Sequence, residues 1–480
     1  MEKEKTQGQQ LAQELLYEPE LAADSAASLP EQMNALGGQS LGERAAEFCE
    51  GYKAFLDKGK TEREVTAYAA ELLQKAGYRA FVPGMELEPG DKVYRINREK
   101  CVLAATIGAK PLAEGAHLNI AHIDSPRLDL KPNPLYESAD LALLKTHYYG
   151  GVRKYQWPTI PLALHGVAYK KDGTRVEICV GEEPGDPVFC ITDLLPHLGA
   201  EQNDRKLAEG VKAEELNIVV GSLPYEEKEL KNRVKLLTMQ LLHQKYGITE
   251  RDFQRAEIEA VPAQNARDVG FDRGLIGAYG QDDRIDAYPA LMAEIEAKAP
   301  AFTTVCVLTD KEEIGSDGVT GLASMYVFHF LQQLCAAQGA DDIACFQHSK
   351  CLSADVTAAY DPTFASVFDP QNSTYAGKGV AIAKYTGARG KAAASDASAE
   401  LVSYFTRLFD AAGVVWQMGE MGKVDQGGGG TVAKYVASHD IDTLDVGVPV
   451  LSMHSPFELA SKLDIYMAYR AFKAFNEAET

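Results

Sequence analysis

The chain has 480 residues, of which 46% are hydrophobic and 24% are charged, and its formal net charge is −21. This length suits two or three domains of a globular protein. The negative charge argues against a nucleic-acid partner, since phosphate binding needs clustered lysine and arginine, and no apolar run approaches the roughly 18 residues of a membrane span.

The N-terminus and the cysteines both favour a cytoplasmic protein. Four of the first five residues, Met1–Lys5, are charged and no apolar segment follows them, so we expect no secretory signal. The 8 cysteines are scattered and form no C-x-x-C pair, which is typical of reduced thiols. We therefore expect the protein to reside in the cytoplasm.

The first quarter of the chain predicts helices followed by strands. Residues 1–40 have a weak helical pattern, and Leu41–Leu56 has helical apolar spacing. Thr61 and Glu64 form a capping-box pattern that opens a second helix through Ala76. Strands are expected at Tyr78–Val82, Tyr94–Asn97, Val102–Ile107 and His117–His122.

The pattern of predicted elements in residues 128–267 differs from that of the sequence on either side. Short β-like runs such as Leu162–Tyr169 and Val176–Val180 are separated by Pro, Gly and Asp turns, and a charged helix is expected over Glu226–Tyr246. None of the candidate metal ligands described below lies here, although they occur before and after it. We interpret 128–267 as a β-rich domain inserted into a catalytic domain of residues 1–127 and 268–480.

The remaining chain alternates strands and helices. Its expected elements are a strand at Gly274–Tyr279, a helix at Ala287–Lys298, a strand at Thr303–Leu308 and a helix at Ala323–Ala337. This pattern predicts an α/β fold with a mixed, largely parallel sheet flanked by helices. In such folds the functional residues follow the carboxyl ends of the strands.

Five short segments carry histidines and acids in the order expected of a two-metal hydrolase. Two divalent ions need a bridging carboxylate and terminal ligands for each ion, and zinc suits mixed histidine and carboxylate sets. We predict Asp282 as the bridge, Glu312 as the general base, and Asp124 as the acceptor of an imidazole N–H. The segments contain His122 and Asp124, Asp282 and Asp283, Glu312 and Glu313, Asp355, and His454.

Each segment taken alone has an ordinary structural explanation. His122 and Asp124 suit a core histidine beside a turn, and the two adjacent aspartates suit a helix cap with an acidic first turn. The two glutamates suit a solvated turn. The ordered set of five is what favours a metal centre.

These segments resemble the aspartyl aminopeptidase and vacuolar aminopeptidase I family of dinuclear zinc aminopeptidases. The resemblance extends from about residue 90 to 475, and Gln156–Leu162 is similar to the bacterial branch. It is carried by His122–Pro126, the Asp282-Asp283 turn, Glu312–Ser316, Ser353–Asp355, Ser395–Ala397, Gly427–Thr431 and Met453–Ser455.

The resemblance implies an enzyme that removes single N-terminal amino acids from peptides with two Zn²⁺ per subunit, for which Co²⁺ or Mn²⁺ can substitute. It implies a zinc-exopeptidase α/β domain, an inserted dimerisation and substrate-access domain, and dimers that assemble into a tetrahedral dodecamer. It assigns the base to Glu312, and to Asp124 the carboxylate that accepts the second N–H of the ligand histidine. It assigns the metal ligands to His122, Asp282, Glu313, Asp355 and His454.

One departure from the family concerns specificity. Aspartyl-specific members carry a histidine soon after the pair that matches Gly150-Gly151, whereas Val152–Trp157 contains none. Arg389 and Lys391 are candidates for contacting an acidic substrate side chain, and the alternative is a solvated basic loop. A carboxypeptidase, an N-deacylase or a silent assembly protein remain alternative functions, although a silent protein would not need Glu312.

Overall fold

The computed structural model describes residues 40–386 and 390–480. The helix expected over residues 1–40 lies outside this range except for Ser40. The helices are α1 (Leu41–Lys58), α2 (Glu62–Lys75), α3 (Ala200–Asn203), α4 (Leu207–Gly210), α5 (Arg233–Tyr246), α6 (Gln281–Glu296), α7 (Tyr326–Gln338), α8 (Asp342–His348), α9 (Ala399–Ala411), α10 (Ala433–Ala437) and α11 (Lys462–Asn476).

The strands fall into three sheets of nine, seven and five strands. They are β1 (Arg79–Ala80), β2 (Lys92–Asn97), β3 (Cys101–Thr106), β4 (Ala116–His122), β5 (Arg127–Ser138), β6 (Leu141–Tyr149), β7 (Leu162–Tyr169), β8 (Arg175–Val180), β9 (Cys190–Ile191), β10 (Asn217–Gly221), β11 (Ala256–Pro262), β12 (Arg267–Val269), β13 (Leu275–Ala278), β14 (Thr303–Thr309), β15 (Lys350–Ala354), β16 (Thr357–Ala358), β17 (Val380–Ala383), β18 (Trp416–Met418), β19 (Asp442–Gly447), β20 (Pro449–Leu451) and β21 (Glu458–Ser461).

The nine-stranded sheet has a parallel centre. Its order is β1-β2-β3-β14-β4-β15-β19-β17-β18, and β14, β4, β15 and β19 run parallel to one another. Alternate residues of β14 face opposite sides: Cys306 and Leu308 pack with α1, α6 and α11, whereas Val305 and Val307 pack with α7. Burial of both faces explains why these strands read as continuous apolar runs. The fold is therefore the mixed α/β class predicted from the sequence.

The seven-stranded sheet is formed by residues between Arg127 and Pro262, and we call it the second sheet. Its order is β8-β7-β11-β5-β6-β10-β9, and all its pairings are antiparallel. It has its own apolar core, in which Trp157 is fully buried. The five-stranded sheet, β12-β13-β21-β20-β16, lies in the sequence after it.

Local sequence signals account for several boundaries. The capping box of Thr61 and Glu64 is present, so the predicted start of α2 is confirmed. The helix expected from Glu226 begins only at Arg233, because Asn232 adopts a left-handed conformation (φ 53°, ψ 51°) that a helix cannot continue through. Among the described residues no helix is long and apolar enough to cross a membrane.

Candidate metal centre

Loops that follow parallel strands meet at one edge of the nine-stranded sheet. β4 ends at His122, and the last residue of β14, Thr309, lies beside it in the register. β15 pairs with β4 on the other side and ends one residue before Asp355. Because the carboxyl ends of parallel strands share an edge, the loop with Glu312 and Glu313 and the residue Asp355 both lie next to His122.

Asp282 directs its two carboxylate oxygens at two histidines. Its Oδ1 is 3.1 Å from Nε2 of His122, and its Oδ2 is 3.0 Å from Nε2 of His454. Asp355 lies 3.8 Å from the same nitrogen of His122, and Glu313 lies 3.6 Å from that of His454. The ligand atoms of each trio lie within 4.8 Å of one another. Two trios with one shared carboxylate suit two neighbouring ions.

Both imidazoles present Nε2 to the acids because Nδ1 is bound elsewhere. Nδ1 of His122 donates to the main-chain carbonyl of Asp124 at 3.0 Å, and Nδ1 of His454 donates to the carbonyl of Gly151 at 2.9 Å. A proton on Nδ1 leaves the Nε2 lone pair free for a metal. The main-chain contacts thereby select the tautomer that a metal centre requires.

Several atoms at this edge are buried without a hydrogen-bond partner. Within the described ranges these include Nε2 of His122, Oδ1 of Asp282 and Oε1 of Glu313. A buried polar atom without a partner carries a desolvation cost, which coordination of a cation would remove. Imidazole nitrogen and carboxylate oxygen are ligands that zinc takes. The residues therefore fit bound zinc.

The electrostatics of the centre also favour cations. Burial, followed by the neighbouring Asp355 carboxylate, raises the pKa of Glu312 to about 8. Burial and repulsion from Asp286 raise the pKa of Asp283 well above its ordinary value. For Asp282, burial raises the pKa but the two histidines lower it by more. A bound cation would relieve the repulsion between these acids.

Asp124 joins the first histidine to the loop of the two glutamates. Its Oδ1 lies 3.3 Å from Nδ1 of His122 and accepts the main-chain N–H of Glu312 at 3.2 Å. Its Oδ2 accepts the main-chain N–H of Glu313 at 3.3 Å and the hydroxyl of Tyr149 at 2.8 Å. The carboxylate contact expected from the sequence is present, and the closer partner of the imidazole is the Asp124 main chain.

Glu458 is a buried carboxylate that the sequence analysis missed. Its Oε2 accepts the main-chain N–H groups of Gln281 at 2.6 Å and Asp282 at 3.2 Å, and its Oε1 accepts that of His454 at 2.8 Å. It therefore holds the loop of the shared aspartate against the loop of the second histidine. A glutamate in the short strand β21 has no sequence signal of its own, so only the tertiary structure reveals this position.

The second sheet reaches the centre at the end of β6, and the sequence analysis missed this too. β6 ends at Tyr149, and the glycine pair follows. A Cβ on Gly150 would lie 3.2 Å from Oε2 of Glu313, and one on Gly151 would lie 3.1 Å from Nδ1 of His454. Side chains larger than hydrogen would therefore crowd two of the candidate ligands, which explains the glycines.

The centre opens into a cavity of about 670 Å³. Glu312 lines it, together with apolar side chains that include Ile382, Met421 and Met453. Lys391 also lines it, but its Nζ already contacts Asp396 at 2.9 Å and lies 3.8 Å from the centroid of the Tyr385 ring. The other basic candidate, Arg389, lies outside the described residues.

Comparisons with known proteins identify a family that the chain resembles. The model of the aminopeptidase I zinc metalloprotease (M18) family matches residues 55–476. A protein of Borrelia garinii subsp. bavariensis, described as a probable M18 family aminopeptidase 1, is 50% identical over 436 residues, which are 89% of this chain and 95% of that protein.

Solved structures resemble most of the chain. An aminopeptidase of the M18 family from Thermotoga maritima is 43% identical with a TM-score of 0.89, and the match covers 96% of this chain and 99% of that one. The mApe1 dodecamer of S. cerevisiae is 21% identical with a TM-score of 0.72, covering 90% of this chain and 96% of that one. The second likeness is one of fold.

Proposed function

The chain belongs to the aminopeptidase I zinc metalloprotease family M18, and from that premise we propose that it is an aminopeptidase with two zinc ions in the two trios around Asp282. His122 and Asp355 hold one ion, and Glu313 and His454 hold the other. The single observation that carries this proposal is that the two oxygens of Asp282 face different histidines, at 3.1 and 3.0 Å.

The proposed reaction is hydrolysis of the first peptide bond of a peptide with a free amino terminus. Bound zinc supplies Lewis-acid activation of the scissile carbonyl and of the attacking water. Glu312 takes a proton from that water and passes it to the leaving amine. Its place supports this role: it lines the cavity, it directly precedes the ligand Glu313, and its main-chain N–H is held by Asp124.

We also propose that neutral N-terminal residues are preferred over acidic ones. The cavity wall contains Ile382, Met421 and Met453, and no histidine follows Gly151 in Val152–Trp157. Lys391 is paired with Asp396. To bind an acidic substrate side chain, Lys391 would have to break this ion pair.

The domain predicted over residues 128–267 is proposed to mediate dimerisation within a dodecamer. The dodecamer seen for mApe1 of S. cerevisiae supports this assembly. So do leucines of this region that are more than half exposed in the single chain, since apolar surface of this kind favours association. They are Leu194, Leu195, Leu198, Leu207, Leu223 and Leu241. Light scattering of the purified protein should give twelve chains per particle, and a stable monomer would contradict the proposal.

Metal content tests the shared carboxylate. Asp282→Asn should lower the zinc content by two ions per chain and abolish peptide hydrolysis, because the bridge serves both trios. His454→Ala should remove one ion. Asp317→Asn, an exposed carboxylate in the loop that follows the two glutamates, should retain the wild-type content. Elemental analysis after removal of free metal decides the matter, and full zinc in the Asp282 variant would contradict the bridge.

Substrate choice is tested with peptides that differ only at the amino terminus. Free peptides starting with Leu, Met, Lys, Asp or Glu are compared with their N-acetylated forms. Hydrolysis restricted to free peptides would support the aminopeptidase reaction, whereas cleavage of the acetyl group would support an N-deacylase. A preference for Asp and Glu would contradict the proposed neutral specificity.

A further inference from the structure

A second group of potential metal ligands lies where α2 meets the second sheet. It consists of Glu64, His165 and Cys179, whose ligand atoms all lie within 4.8 Å of one another. His165 and Cys179 are direct cross-strand partners on β7 and β8, so their side chains share one face of the sheet. Glu64 comes from the first turn of α2. The group shares no residue with the centre around Asp282.

The carboxylate of Glu64 is held in place before any ion binds. Its Oε2 accepts the main-chain N–H groups of Lys60 at 3.0 Å and Thr61 at 3.1 Å, as part of the capping box. Its Oε1 lies 2.7 Å from Nδ1 of His165. One oxygen therefore anchors the group to the backbone while the other faces the imidazole, so little ordering is required when a ligand arrives.

The far side of the imidazole supplies an independent observation. The His165 side chain is 2% exposed, and its Nε2 is buried without a hydrogen-bond partner. Oε1 of Glu182, also buried without a hydrogen-bond partner, lies 3.6 Å from that nitrogen and 3.6 Å from Nζ of Lys60. A carboxylate facing the non-ligating nitrogen is the usual companion of a metal-bound histidine, because it fixes the tautomer and the ring orientation.

We propose that Glu64, His165 and Cys179 bind a transition-metal cation, with zinc as the expected ion, that clamps α2 to the second sheet. A thiolate, an imidazole and a carboxylate favour zinc or cobalt over magnesium and calcium, which prefer oxygen ligands alone. Cys179 is exposed, so the ion has a path from solvent, and a water completes the tetrahedron that zinc adopts.

In the absence of a metal ion, a proton occupies Nδ1 of His165. Burial lowers the pKa of His165, but its contacts with Cys179, Glu182 and Glu64 raise it to a net value of about 12. An imidazolium paired with Glu64 is therefore the competing arrangement. An ion bound at Nδ1 displaces this proton, and the cysteine releases another as it becomes a thiolate.

Cobalt substitution separates the two arrangements. The five candidate ligands of the Asp282 centre include no cysteine, so a thiolate-to-cobalt charge-transfer band in the near ultraviolet reports on a site outside that centre. The wild-type protein, loaded with Co²⁺ and freed of excess metal, should show this band. Cys179→Ser should lose the band and one ion per chain while keeping wild-type peptide hydrolysis in its zinc form.

Two further variants act as controls. Cys190→Ser, on β9 of the same sheet, should keep the band. Asp282→Asn should also keep the band, although it loses peptide hydrolysis. A wild-type spectrum without the band would overturn the proposal and leave an imidazolium ion pair. Persistence of the band in Cys179→Ser would overturn it as well, because the sulfur would then come from another cysteine.

Discussion

Two buried, acid-rich regions of this molecule balance their negative charge in different ways. In the region around Asp282, carboxylates face the histidines His122 and His454. In the region where α2 and β3 meet the second sheet, the acids face fixed cations. We call the latter the arginine cluster, which consists of Arg127, Lys100, Glu62, Asp129 and Glu259.

The arginine cluster is held together by short contacts. Nε of Arg127 lies 2.9 Å from Asp129 and 3.1 Å from Glu259, and Nη1 of the same residue lies 3.4 Å from Glu62. Lys100 lies 2.9 Å from the other oxygen of Glu62. Burial raises the pKa of Glu62, but Arg127 and Lys100 lower it by more. Burial raises the pKa of Glu259 by more than Arg127 lowers it.

The difference distinguishes a structural from a catalytic use of buried acids. An arginine keeps its positive charge at any accessible pH. A pair of histidines leaves positions for an ion that can be removed and replaced. Disturbing the first region should therefore change activity, and disturbing the second should change stability.

The largest effect is expected from Glu312→Gln. The amide cannot accept the water's proton, so kcat should fall by about 10²- to 10⁴-fold or more while the zinc content stays unchanged. Steady-state hydrolysis of a free peptide and elemental analysis measure the two quantities. Asp317→Asn, the same chemical change in an exposed residue nearby, is the control. An active Glu312→Gln protein would exclude this residue as the base.

Arg127→Met should destabilise the arginine cluster without affecting the metal centre. It leaves Glu62 and Glu259 buried without their guanidinium, which should destabilise the fold by about 3–5 kcal/mol. The midpoint of urea unfolding should fall, and the zinc content of the folded protein should not. Arg251→Met, at an exposed position, should leave the midpoint unchanged. Equal midpoints for both variants would mean that the cluster contributes no net stability.

Tyr149→Phe tests the link between the two regions. The ring of Tyr149 lies 3.8 Å from the Arg127 guanidinium, while its hydroxyl donates to Asp124 at 2.8 Å. Loss of a hydrogen bond to a charged group, worth about 1.5–3 kcal/mol, should lower kcat by about tenfold or more without loss of zinc. The neighbouring Tyr148→Phe, at an exposed residue, should leave kcat unchanged. An unchanged kcat would remove Tyr149 as a positioning residue.

The smallest effect is expected from Lys391→Met. Because Lys391 is exposed and already paired with Asp396, its removal should cost about 0.2–1 kcal/mol or less. The ratio of kcat/KM for peptides starting with Asp and with Leu should therefore change by less than about fivefold. Lys378→Met, a lysine outside the cavity wall, provides the baseline. A larger fall for the Asp peptide alone would assign Lys391 to substrate recognition.

The sequence located the parts of the structure that depend on local pattern. The observed strands β4 and β14 differ from the predicted ones by one residue at one end, because buried apolar runs bounded by polar turns have a clear signal. The five segments with histidines and acids do converge, because parallel strands place their carboxyl ends together.

Features that depend on tertiary contacts were beyond the sequence analysis. Glu458, Tyr149 and the carbonyl of Gly151 act on residues far away in the chain, and no local pattern marks them. The start of helix α6 was also predicted wrongly: it begins at Gln281, whereas the predicted start was Ala287. Within this helix, Asp282 and Asp283 have non-helical dihedral angles. Contacts of these acids, not their helix propensity, determine that geometry.

The bond from His454 to Gly151 also bears on how the protein is made. It closes a loop of 303 residues, and chains emerge from the ribosome N-terminus first. The second sheet and the first histidine are therefore synthesised long before the ligand that completes the second trio. Since non-local contacts form late, the second trio of the proposed metal centre is completed only when the C-terminal strands dock.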